Sequence, residues 1–214
     1  MLKHYLFDLD GTLTDPFEGI TNSVVHALKK YNIEVEDKKH LGVFIGPPLV
    51  ESFMKYYGFT EAEAKNAVEV YREHFGTKGL FENELYEGIP QLLERLKSEG
   101  KTVIMATSKP EVYARQIAEH FDIAKYFDYM AGSELNGVRI AKNEVIEYAL
   151  EKLNITDREN CIMIGDRHHD INGAKKTGMK SIGVLWGYGS KEELEAAGAD
   201  YICENVEDIL NIKS

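Results

Sequence analysis

Apolar positions fall into two patterns along the chain. Short continuous runs, Tyr5–Leu9, Thr102–Thr107, Phe127–Ala131, Cys161–Gly165, Ser181–Leu185 and Tyr201–Cys203, read as strands. Continuous rather than alternating apolarity is what a parallel strand covered on both faces requires. Between several of these runs the apolar residues recur at helical spacing. Ile89, Leu92, Leu93 and Leu96 form one such stripe, ended by Gly100, and Val145, Ile146, Ala149, Leu150 and Leu153 form another. Ser190 with Glu193 has the form of a capping box that starts a third helix. Repeated alternation of strand and helix predicts an α/β fold with a doubly wound, Rossmann-like parallel sheet.

From about Asp15 to about Glu82 the alternation stops and no strand pattern is found. Ile20, Val24, Ala27, Leu28 and Tyr31 make one helical stripe. Leu49, Val50, Phe53, Met54 and Tyr57 make a second, started by Pro47-Pro48. Thr60 and Glu63 form a capping box ahead of Ala64, Ala67, Val68, Tyr71 and Phe75. Such an insert cannot continue the sheet. The expectation is a discontinuous core, residues 1–14 and 83–214, and a small helical cap domain, residues 15–82, lying over one end of the sheet.

The 214 residues are 43% hydrophobic and 29% charged, an ordinary globular composition. A chain of this size buries enough surface to fold without disulfides or a structural metal. Lys plus Arg number 25 against 36 Asp plus Glu, a formal net charge of −11. That argues against a nucleic-acid polymer or an anionic membrane as partner, since both need a basic footprint. A small anion in a local pocket is still allowed. Cys161 and Cys203 sit in apolar runs and read as reduced core thiols. The first apolar stretch ends at Asp8, too short for a signal peptide core or a membrane span. The expectation is a cytoplasmic protein, monomer or homodimer, whose partner is a small molecule.

Ligands of an open parallel sheet bind beyond the carboxyl ends of its strands. The first strand runs into Asp8-Leu9-Asp10-Gly11-Thr12 and the second into Thr107-Ser108-Lys109-Pro110. The run at 161–165 leads into Gly165-Asp166-Arg167-His168-His169-Asp170, and Lys142 lies on the approach to a helix. Four carboxylates, a hydroxyl and a lysine thus gather at one rim. Buried carboxylates are costly unless a cation neutralises them. Oxygen donors without a Cys/His set favour Mg²⁺ over zinc. Mg²⁺ with a hydroxyl and an ammonium nearby suits the handling of a phosphoryl group. Asp8 and Asp10 alternate along an extended segment, so their side chains point to opposite sides. One can attack phosphorus, while the other protonates the leaving oxygen and later activates water. Gly11 permits the sharp turn that follows.

Asp8-x-Asp10-Gly11-Thr12, Thr107, Lys142 and Gly165-Asp166-x-x-x-Asp170, in this order, resemble the four motifs of the haloacid dehalogenase-like superfamily of phosphohydrolases. The helical insert resembles that family's C1-type cap, and the resemblance covers essentially the whole chain. It implies that Asp8 is the nucleophile and a metal ligand. Asp10 would be the general acid/base and lend its main-chain carbonyl to Mg²⁺. Thr107, Ser108 and Lys142 would bind the phosphoryl oxygens. Asp166 would ligate Mg²⁺, with Asp170 supporting it. The presence of Asp10 matches the phosphotransferring branches rather than the dehalogenases. Gly46-Pro47-Pro48-Leu49, Thr107-Ser108-Lys109-Pro110, Gly165-Asp166-Arg167-x-x-Asp170-Ile171 and Gly187-Tyr188-Gly189-Ser190 resemble a bacterial 5′-nucleotidase-like subgroup close to the phosphoglycolate phosphatases. The implied activity is hydrolysis of nucleoside 5′-monophosphates, with Gly46 and Pro47 in a cap loop that sets specificity. Phosphoglycolate or another small metabolite phosphate is the alternative substrate. A phosphomutase and a catalytically idle phosphate sensor are the rival functions.

Plainer readings compete at several residues. Lys125, Lys109 and Arg139 are alternatives to Lys142, and Lys109 is weighted towards a solvated loop residue. Arg167 reads as a surface salt-bridge partner. His168 and His169 diverge by ~100° in a helix start and do not readily chelate one ion together. Tyr31, Tyr56, Tyr57 and Tyr71 read as packing residues of the insert rather than a base-stacking surface.

Overall fold

A computed structural model describes residues 2–212. Its strands are β1 (His4–Phe7), β2 (Thr14–Asp15), β3 (Glu84–Leu85), β4 (Thr102–Pro110), β5 (Tyr129–Ser133), β6 (Cys161–Gly165), β7 (Lys180–Val184) and β8 (Tyr201–Cys203). Its α-helices are α1 (Phe17–Lys29), α2 (Leu49–Tyr57), α3 (Glu61–His74), α4 (Ile89–Ser98), α5 (Glu111–His120), α6 (Lys142–Lys152), α7 (His168–Lys176) and α8 (Lys191–Ala197). Among the described residues, six strands form one parallel sheet in the order β5-β4-β1-β6-β7-β8. The chain divides into two compact units. One runs up to Asp15 and resumes at Leu85, and the other is Pro16–Glu84. The two-residue strands β2 and β3 pair with each other where the chain leaves and rejoins the sheet unit.

The sheet unit is the α/β fold that the apolar runs predict. β1 lies between β4 and β6, which cover both its edges, and Leu6 and Phe7, on its two faces, are fully buried. One core cluster packs Leu6, Ile104 and Met163 of the sheet against Val145, Ile146, Ala149 and Leu150 of α6. That is the stripe read from helical spacing. From β1 the strand order runs to β4 on one side and to β6 on the other. This reversal opens a crevice at the carboxyl ends of β1, β4 and β6.

Strand ends differ from the apolar runs for local reasons. β5 starts at Tyr129 instead of Phe127, because the Asp128 carboxylate accepts the Val103 N–H at 2.8 Å and replaces a ladder bond. β4 continues past Thr107 to Pro110, but its register slips. Ala106 pairs with Ala131 and Pro110 with Ser133, so four steps of β4 face two of β5. This bulge re-aims the side chains of Thr107, Ser108 and Lys109.

The helical unit follows its own apolar stripes. Thr60 and Glu63 form the reciprocal capping box at the start of α3. Phe44 stands edge-on to Phe53 at 5.0 Å, and Tyr31 packs on Phe59 at 4.6 Å. Tyr71 stacks on Phe75 at 5.2 Å. Tyr31 and Tyr71 are therefore packing elements within this unit, whereas Tyr56 is exposed. No helix among the described residues is long and apolar enough to cross a membrane. Leu6→Ala should lower unfolding free energy by about 2–5 kcal/mol, since it leaves a cavity in the central strand. Thr60→Ala should cost only about 1 kcal/mol through loss of the cap. Urea denaturation of both variants checks the ranking.

Candidate active site

Asp8 is the first residue beyond β1. Its amide still follows the ladder, donating to Ile164 O at 2.9 Å, so the side chain is fixed at the strand end. After Asp10 the chain folds sharply back. The amides of Thr12, Leu13 and Thr14 all donate to Leu9 O at 3.2, 2.9 and 3.0 Å, and Gly11 N–H donates to Thr14 O at 2.8 Å. Gly11 holds φ +79°, and a Cβ there would lie 2.2 Å from Asp166 Oδ2. Both conformation and space demand glycine.

The carboxylates of Asp8, Asp166 and Asp170 are buried and converge. Each offers an oxygen within 4.8 Å of the others. Asp8 Oδ1 accepts the Leu9 N–H at 2.8 Å and faces Lys142 Nζ at 2.8 Å. Asp166 Oδ2 accepts the Tyr188 N–H at 2.8 Å. Asp170 Oδ2 accepts the Arg167 N–H at 3.1 Å, and its Oδ1 faces Lys142 Nζ at 2.8 Å. Burial pushes the Asp166 carboxyl up to about 8, and the charges of Asp170 and Asp8 add to the effect. Burial also raises Asp170, to about 6, against the pull of Lys142. Burial disfavours the Lys142 ammonium, yet Asp170 and Asp8 together outweigh it and hold the lysine protonated. Three acids with one ammonium leave excess negative charge, which a divalent cation would offset. An all-oxygen donor set fits Mg²⁺.

Lys142 starts α6, donates to Ala106 O at 3.1 Å and reaches both Asp8 and Asp170. Its stem passes α7 at Gly173, where a Cβ would come within 2.7 Å of Lys142 Cγ. Of its rivals, Lys125 pairs with Asp122, and Arg139 lies near Glu134 and Glu111. Thr107 is buried, with its Oγ1 accepting the Lys109 N–H at 3.2 Å, and Ser108 beside it is half-buried. Arg167 pairs with Glu193 at 2.9 Å, as its plain reading expects. His168 Nδ1 also meets Glu193 at 2.7 Å, while burial and nearby positive groups push His169 down to about 4. Neither histidine joins the carboxylate cluster.

Asp10 is not one of the three converging carboxylates, and its own faces Lys109 Nζ at 2.6 and 2.9 Å. Burial raises the Asp10 pKa, with Lys109 opposing the rise. Lys109 is thus not the solvated loop residue that sequence weighting favours. It is buried, because the β4 bulge turns it inward. Asp170, expected only to support the metal ligands, stands among the converging carboxylates. Residue patterns gave no sign of the Tyr188 role. Its main-chain N–H holds Asp166, and its hydroxyl donates to Asp15 Oδ1. The flanking Gly187 is the available signal, since a Cβ there would strike Gly11 O and Asp166. Gly46 is exposed with φ +101°, and Pro47 is half-buried, both within the helical unit.

A family model described as haloacid dehalogenase-like hydrolase matches residues 5–184. A 5′-nucleotidase of Pseudomonas aeruginosa is 50% identical over 201 residues, 94% of this chain and 90% of that protein. Tyrosine-protein kinase PtkA of Mycobacterium tuberculosis is 37% identical over 190 residues, 89% of this chain and 64% of that protein. The crystal structure of a predicted phosphatase from Clostridium acetobutylicum matches with a TM-score of 0.94 at 51% identity, covering 99% of this chain and 100% of that one.

Within a helix, Gly→Ala normally stabilises by about 1 kcal/mol. Gly173→Ala should do the reverse, because the new methyl displaces the Lys142 stem. A lower melting temperature than wild type is the expected reading.

Proposed function

The chain belongs to the haloacid dehalogenase-like hydrolase family, as a phosphatase of it, and we propose that it hydrolyses small phosphomonoesters through an aspartyl-phosphate on Asp8, with nucleoside 5′-monophosphates as substrates. The observation that carries this reading is the division of labour between two neighbouring carboxylates. Asp8 sits in the buried cluster beside Lys142, whereas the Asp10 carboxylate pairs with Lys109.

Asp8 Oδ1 is held by Lys142 and the Leu9 amide, which leaves Oδ2 to attack phosphorus. As the ester P–O bond breaks, the leaving oxygen takes a proton from Asp10, whose burial favours its protonated form. Asp10 then removes a proton from water. The water oxygen attacks phosphorus, the bond to Asp8 breaks, and phosphate leaves. Thr107, Ser108 and Lys142 would hold the phosphoryl oxygens while charge builds on them. Asp8, Asp166 and the Asp10 carbonyl would hold Mg²⁺, with Asp170 beside them. The ion, when bound, supplies neutralisation of the phosphoryl charge. The helical unit is assigned the role of a cap that excludes water, and its Gly46-Pro47 loop that of reading the leaving group. The 50% identical 5′-nucleotidase supports the nucleotide substrate. The chain's acidity and its two buried free thiols suit work on soluble metabolites in the cytoplasm.

Phosphate release should be measured over purine and pyrimidine 5′-monophosphates, phosphoglycolate, sugar phosphates and p-nitrophenyl phosphate. A kcat/KM about 100-fold higher for the nucleotides, about 2.7 kcal/mol in transition-state binding, is expected. The same preference for phosphoglycolate would replace the substrate but keep the mechanism. Transfer to a hydroxyl without phosphate release would point to a mutase or kinase.

Asp8→Asn should reduce turnover at least about 1,000-fold while the fold persists. Asp10→Asn should reduce it about 10²–10⁴-fold, the usual weight of a general acid. Excess EDTA should abolish turnover and added Mg²⁺ restore it. Undiminished activity in chelator would remove the metal from the scheme.

A further inference from the structure

Lys109 has no part in the scheme above, yet the fold takes trouble over it. Lysine is seldom buried without a partner, since its ammonium loses hydration. Here the side chain is 5% exposed. It is brought inward by the β4 bulge, where the strand gives up its regular register with β5. The main chain at this point is pinned on two sides. Lys109 N–H donates to Thr107 Oγ1 at 3.2 Å, and Lys109 O lies so close to Gly132 that a Cβ there would come within 2.6 Å of it. From this anchored backbone Nζ reaches across to the loop after β1 and meets both oxygens of Asp10, at 2.9 and 2.6 Å. Two contacts to one carboxylate fix the plane of that group as well as its place. Asp10 needs such a hold, because it stands at the turn into Gly11 and lies outside the carboxylate cluster.

We propose that Lys109 is a positioning residue for Asp10: its ammonium grips both carboxyl oxygens and presents the acid to the leaving oxygen of the ester. The inference deepens the reading of Asp10 as the general acid and rests on it. In the first half-reaction the proton passes from Asp10 to the leaving oxygen as the P–O bond breaks. The carboxylate left behind stays paired with the Lys109 ammonium, oriented towards the water that returns a proton in the second half. Acid catalysis fails in proportion to misalignment of donor and acceptor. Lys109 therefore matters most where the leaving group cannot depart as an anion.

Two esters separate this role from a merely structural one. Glycerol 2-phosphate releases an alkoxide that needs the proton, and p-nitrophenyl phosphate releases a phenolate that does not. Lys109→Met should lower kcat/KM, which reports only the steps up to departure of the leaving group, about 30-fold or more on the glycerol ester and less than about 3-fold on the aryl ester. In the Asp10→Asn background, Lys109→Met should cost less than about 3-fold further, because a residue acting only through Asp10 has nothing left to position. The double variant also removes both charges of the pair, so it remains foldable if Lys109→Met alone strands a buried carboxylate. Equal losses of kcat/KM on both esters, or additive losses of kcat/KM in the double variant, would overturn the inference. So would the absence of any loss. If Asp10→Asn itself lowers kcat/KM equally on both esters, the assignment of Asp10 as the acid falls, and the role of Lys109 falls with it. If Asp10→Asn is selective and Lys109→Met is not, only the inference about Lys109 fails.

Discussion

Three carboxylates cannot share a buried rim without either losing their charges or meeting a cation, and much of this structure is arranged around that repulsion. Asp8, Asp166 and Asp170 come from the ends of β1 and β6 and the start of α7. Strand pairing brings them together whether or not their charges agree. One ammonium, Lys142, bridges two of them from α6. Burial raises the pKa of Asp166 and Asp170, and the neighbouring carboxylate charges add to the rise. This set of oxygen donors could hold a further cation of the hard kind.

Space around the carboxylates is made by removing side chains. Gly11 and Gly187 present bare Cα atoms to Asp166, and Gly165 does so to Asp170, so the acids can approach closely. Gly173 lets the Lys142 stem pass between α6 and α7. The loop after β7 supplies the remaining hold, with the Tyr188 amide on Asp166 and its hydroxyl on Asp15. Asp15 is the last residue before the helical unit, so one tyrosine ties a candidate metal ligand to the joint of the chain.

The two neighbouring acids of the first loop are driven into unlike surroundings by backbone geometry. Asp8 continues the β1 direction into the cluster, while Asp10 turns out just before the chain folds back on Leu9 O. The bulge in β4 then delivers Lys109 to Asp10 rather than to solvent. Two acids two residues apart thus come to stand beside different lysines.

Much of this was legible from residue order. The alternation of continuous apolar runs with helical stripes specified the α/β sheet, and its loss near Asp15 marked the insert. Those signals are local: a buried strand needs apolar residues on both faces, and a helix needs them every third or fourth position. The spacing of Asp8 and Asp10 and of Asp166 and Asp170 was equally local, set by one loop and one helix start. Lys142 is singled out by its place in a motif, with Lys109, Lys125 and Arg139 as rivals along the chain. Only the sheet order, which places β4 beside β1 and α6 against β4 and α7, decided that Lys142 would bridge Asp8 to Asp170 and Lys109 would face Asp10. The same holds for Tyr188, separated from Asp15 by 173 positions. Periodicity and motif act over a few residues, whereas the pairing of charges depends on which distant strands become neighbours, and that is settled by packing of the whole core.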